Sequence, residues 1–103
     1  MKVFTLYVGT TKPEARDTVV KLISERFGSF TVISGEGHYH GQFEPMWFVR
    51  IATDKPLLVV ETADVLRSAL KQEVVGIEYE SRYYKCTAQD PATALRIILE
   101  EVA

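Results

Sequence analysis

The chain carries two histidines, His38 and His40, separated by one residue within Gly35-Glu36-Gly37-His38-Tyr39-His40-Gly41-Gln42. On an extended backbone, residues i and i+2 point to the same side, so both imidazoles could approach one metal ion or one anionic group, with Glu36 or Glu44 as a further ligand. The four-ligand spacing of a structural zinc site is absent, so no metal is expected. The pair reads as polar residues of a hairpin arm, as ligand contacts, or as an acid–base pair assisted by Tyr39 or Glu44.

A second cluster, Tyr79, Arg82, Tyr83, Tyr84 and Lys85, interleaves aromatic rings with positive charge, which suits stacking on a ring and neutralising a phosphate, or packing at a subunit contact. Arg50 can face Glu78 and Glu80 as ion pairs. Cys86 stands alone and reads as a small packing residue. Gly9-Thr10-Thr11-Lys12 offers amides and one Lys at a helix start, an arrangement that holds a phosphate or simply caps the helix. Neither a Gly-x-Ser-x-Gly elbow nor a Walker loop is present. The candidate ligand-binding residues are therefore Tyr7, His38, Tyr39, His40, Arg50, Arg82 and Tyr84, with no catalytic residue assigned and no cofactor implied.

These residues must be positioned by a small set of elements. Residues 2–8 alternate with period two, with Phe4, Leu6 and Val8 on one face and Val3, Thr5 and Tyr7 on the other. Thr11-Lys12-Pro13-Glu14 fits a capping box, and Ala15, Val19, Leu22 and Ile23 follow at helical spacing, predicting a helix over about residues 12–27. Two runs rich in β-formers, Phe30–Ser34 and Phe43–Thr53, flank the glycine-rich stretch and predict a hairpin. Leu58, Val59, Thr62, Val65, Leu66 and Ala69 predict a second helix ending near Leu70. Val75, Ile77 and Tyr79 alternate in a fourth strand expected to extend through Tyr84, and Asp90-Pro91 opens a short terminal helix.

The order β-α-β-β-α-β with a terminal helix is the ferredoxin-like plan: a single α+β domain over residues 1–103, with two helices covering one face of a four-stranded antiparallel sheet. The other face, carrying Val3, Tyr7, Met46 and Phe48 beside Arg50, Glu78 and Glu80, is too apolar for bare solvent.

Phe4-Thr5-Leu6-Tyr7-Val8 leading into Lys12-Pro13-Glu14-Ala15, the hairpin from Phe30 through Ile51, and Ile77-Glu78-Tyr79 leading towards Asp90-Pro91 resemble the trimeric PII-like group, particularly CutA. That resemblance spans nearly the whole chain and implies an oligomer, a trimer or a dimer. The His-Pro-Tyr-Glu order of CutA is replaced here by Lys71-Gln72-Glu73-Val74-Val75-Gly76, so no functional residue of that family carries over. Phe30-Thr31-Val32, Gly37-His38-Tyr39-His40-Gly41 and Glu44 also resemble small uncharacterised bacterial and phage proteins.

Composition narrows the function. The 103 residues hold six cationic and five acidic side chains in positions 1–52, and six and nine in positions 53–103, so neither half offers the basic excess that general nucleic-acid binding needs. One cysteine rules out an internal disulfide and fits a cytoplasmic setting, and no apolar run approaches the ~20 residues of a membrane span. The expectation is a non-enzymatic oligomer binding a small anionic metabolite or nucleotide at a subunit boundary. The alternatives are a small hydrolase or lyase using His38 and His40, and a phage-type inhibitor that acts by protein interaction.

Overall fold

The computed structural model describes residues 1–10, 12 and 14–89. Strand β1 (Lys2–Gly9) leads to helix α1 (Ala15–Ser24), the hairpin β2 (Thr31–Tyr39) and β3 (Gln42–Thr53), helix α2 (Pro56–Ala69), and a second hairpin of β4 (Val74–Tyr79) and β5 (Arg82–Thr87). The five strands form one antiparallel sheet in the order β2-β3-β1-β4-β5.

Period-two alternation fixes the faces. Phe4, Leu6 and Val8 are fully buried under the helices together with Val49, Ile51, Val75 and Ile77. Val19 and Ile23 of α1 and Val59, Ala63 and Leu66 of α2 close this core from above. Each such side chain contributes about 2 kcal/mol through burial, so a one-residue slip of β1 against β3 would turn the whole set to solvent. The register is thereby held from Lys2↔Thr53 to Gly9↔Met46.

The sheet has five strands, not four. The expected fourth strand folds back at Glu80 and Ser81, both at positive φ (50° and 64°), the left-handed pair that a two-residue hairpin turn requires. Neither residue is the glycine or asparagine that usually marks such a turn. A subtler signal is in the pattern: buried side chains are at odd positions from Val75 through Tyr79 and at even positions from Tyr84 to Cys86, a change of phase that a continuous strand cannot make.

Helix α1 is shorter than its periodicity suggests, beginning at Ala15 after Glu14, whose side chain makes no capping bond. Thr10 Oγ1 instead accepts from the Lys12 amide at 3.0 Å. The other half of the expected capping box, Thr11, lies outside the described residues, as does the expected terminal helix. Helix α2 starts with Pro at its first turn, as its missing donor favours. Among the described residues no helix is long and apolar enough to cross a membrane.

Candidate functional site

The helices leave one sheet face open, and its residues follow from the pairings Tyr7↔Phe48, Tyr7↔Gly76, Gly76↔Lys85 and Glu78↔Tyr83. Tyr7 stands upright in the middle of this face. Its ring meets Phe48 edge-on at 5.3 Å and Tyr83 edge-on at 5.5 Å, so three strands contribute one aromatic row. The Tyr83 ring lies down over Gly76, where a Cβ would overlap its Oη, Cε2 and Cζ atoms; glycine is what permits this ring orientation.

The Tyr7 hydroxyl donates to Glu78 Oε1 at 2.5 Å, a charge-assisted bond across adjacent strands. That bond, with burial and the Glu78 charge adding to it, pushes the Tyr7 phenol up to about 12, so its proton is committed to Glu78 and the residue is no base near neutrality. Burial also raises the Tyr83 phenol.

Beside this row a cleft of about 470 Å³ opens between the β2–β3 hairpin and the α2–β4 loop. Tyr7 and Tyr83 give it aromatic walls, Met46 an apolar one, and Gly37, His38 and Tyr39 the hairpin side. The loop supplies Lys71, Gln72 and Glu73, β4 its first residue Val74, and Lys85 reaches it from β5. The Glu44 carboxylate, half-buried, lies against Gly9 in the space a side chain there would take. The side chains of Glu44, Lys71 and Lys85 have no hydrogen-bond or ion-pair partner among the described residues. The cleft thus combines rings, two carboxylates and two ammonium groups, a set suited to a small ring-bearing ligand with both signs of charge.

The structure gathers only part of the expected set. Tyr7, His38 and Tyr39 line the cleft. His40 does not: it sits in the hairpin turn at φ 50° and packs its ring on Tyr39, so the two imidazoles do not share the extended geometry that would aim them together. His38 Nε2 instead lies 2.8 Å from Glu36 Oε2 at the exposed surface. Arg50 is on the open face but pairs with Thr5, further along the sheet from the cleft. Arg82 opens β5 opposite Tyr79, on the helix-covered side.

Tyr84 is a correction. It faces the core at 7% exposure with its hydroxyl lacking a partner, and Tyr83 takes the open-face position because the turn at Glu80–Ser81 shifts the alternation by one. Lys71 and Gly76 escaped the sequence reading, the first because it is remote in sequence from the aromatic cluster, the second because it has no side chain. No group of three or more metal-ligating side chains occurs among the described residues. Cys86 is fully buried, its thiol raised chiefly by desolvation, with Sγ 3.8 Å from Asp64 Oδ1. It is a packing residue.

Comparison with known proteins places the fold. No family model matches the chain, and no curated protein does. Among solved structures, a phage SAM lyase in its apo state superposes with a TM-score of 0.61 at 20% identity, over 84% of this chain and 89% of that one. The likeness is one of fold.

Proposed function

We propose that this chain is a lyase that cleaves S-adenosylmethionine, or a sulfonium nucleoside built like it, in the cleft beside Tyr7. The observation that carries the reading is the half-buried Glu44 carboxylate, without a side-chain partner among the described residues, in a cleft that the Tyr7 and Tyr83 rings also line. A carboxylate beside π-faces is an environment for a cation that is also apolar, as a sulfonium is, and a ring face contributes about 0.5–2 kcal/mol to such a cation. The Tyr83 face can stack an adenine. Likeness of fold to the phage SAM lyase supports the same substrate class.

The chemistry asks little of acid–base groups. When the C–S bond breaks, its electron pair stays on sulfur and the sulfonium becomes a neutral thioether, so the leaving group needs no proton. The carbon it leaves bonds by ring closure to an anionic oxygen the substrate already carries, since a lyase adds no water, so no proton has to be taken up. The protein's part is to hold the charged substrate in shape and keep water out. An acid–base role for His38 and His40 is not part of this reading.

The first four strands and two helices are read as a ferredoxin-like plait of the PII-like kind, working as a homo-oligomer in the cytoplasm. Val3 and Ile33, 42% and 52% exposed, lie on the open face, an apolar surface that a second copy would bury. A second reading, a non-catalytic binder of an anionic metabolite, rests on the unpaired Lys71 and Lys85.

The test is incubation of the purified protein with S-adenosylmethionine in ¹⁸O-water, followed by mass spectrometry, with sedimentation analysis of the same sample. A lyase yields a neutral thioether nucleoside and a second product without ¹⁸O. Binding without turnover removes the lyase step and leaves a non-catalytic binder, and a folded protein that neither binds nor cleaves the substrate refutes the lyase reading.

A further inference from the structure

Helix α2 ends in a motif that ordinarily requires glycine. The Gln72 amide donates to the Arg67 carbonyl at 2.9 Å and the Lys71 amide to the Ser68 carbonyl at 3.2 Å, the paired bonds of a Schellman cap with Lys71 at its left-handed position. Lys71 has φ 54°. A lysine there carries backbone strain that glycine would not.

Lys71 is on the cleft wall, and Lys85, opposite Gly76 and so beside the flat Tyr83 ring, lines the same cleft. Both ammonium groups are exposed and unpaired among the described residues. Two acidic side chains, Glu44 and Glu73, line the cleft as well. We infer that Lys71 and Lys85 form an anion subsite that holds the carboxylate of the substrate's amino-acid end. This rests on the proposed substrate class and assigns one end of that substrate to one wall.

The test uses Lys71→Met, Lys71→Gly and Lys85→Met in the full chain. Initial rates give KM for S-adenosylmethionine, and competition gives the inhibition constant for its decarboxylated form, which keeps the sulfonium and the amine but lacks the carboxylate. Each lysine variant is expected to weaken the parent compound about fivefold, the upper range of an exposed ion pair, and to leave the decarboxylated form unchanged. Lys71→Gly should also melt at a higher temperature than the wild type, so loss of affinity cannot be ascribed to misfolding. Glu73→Gln should shift the parent compound the opposite way, by removing a like charge beside the subsite.

Equal weakening of both compounds by Lys71→Met would overturn the inference while leaving the substrate reading intact, and so would wild-type affinity for both. A wild-type protein that ignores both compounds removes the substrate reading itself.

Discussion

Gly76→Ala separates the cleft from the fold. The new Cβ falls inside the van der Waals radii of Tyr83 Oη, Cε2 and Cζ, whereas carbon atoms settle at about 3.5–4.0 Å, so the ring must rise by roughly 1–2 Å or swing away from the sheet. Tyr83 is 52% exposed, which leaves it free to move. The cost is the edge contact with Tyr7, about 0.5–1.5 kcal/mol, and it is offset by the reduced freedom of the unfolded chain at an Ala, about 0.4–1 kcal/mol. Net stability should therefore change by less than about 1 kcal/mol. Binding should not be spared: a lost stacking face is worth about 1–3 kcal/mol per base, roughly a 5- to 150-fold loss of affinity for S-adenosylmethionine. The assay is isothermal titration beside a thermal melt of the same preparation. Unchanged affinity would show that the Tyr83 ring is not part of the site, and a collapse of the melting temperature would show that the ring is structural.

Tyr7→Phe strands the Glu78 carboxylate without its short donor and should destabilise the fold by about 1–3 kcal/mol, read by urea unfolding. The pH dependence has a defined sign: the folded phenol at about 12 lies above its unfolded value of 10.0, so the native state retains the proton longer. Its contribution is fully present below pH 10 and is lost as pH rises towards 12, and the Phe variant should lack that alkaline loss. Ser81→Gly relieves a left-handed φ of 64° and should stabilise by about 1 kcal/mol, a rise in Tm of about 4–8 °C; an unchanged or lower Tm would contradict the strain argument. His40→Ala should leave turnover unchanged, because the ring is in the turn and outside the cleft lining, and abolition of turnover would restore the histidine acid–base reading.

Much of the architecture was legible in order and phase. Alternation in β1 and β3 assigns Tyr7, Met46, Phe48 and Arg50 to one face, because a strand with one buried side has no other way to place Phe4, Leu6, Val49 and Ile51. Helical spacing located α2 and α1 for the same reason, overrunning α1 at its ends. These are local consequences of burying one face, and a single chain states them plainly.

The site depended on what is not local. A turn at Glu80–Ser81, without glycine or asparagine, decides that Tyr83 rather than Tyr84 faces the open side. The hairpin turn at His40 breaks the i, i+2 geometry that made two histidines look like a pair. Glu44, Lys71 and Lys85 come from three separate segments, and only the antiparallel order β2-β3-β1-β4-β5 brings their strands and the α2–β4 loop around one cleft. Sequence spacing determines which face a side chain takes within its own element; which side chains become neighbours is set by strand pairing, because that is where the burial of distant apolar residues is satisfied together.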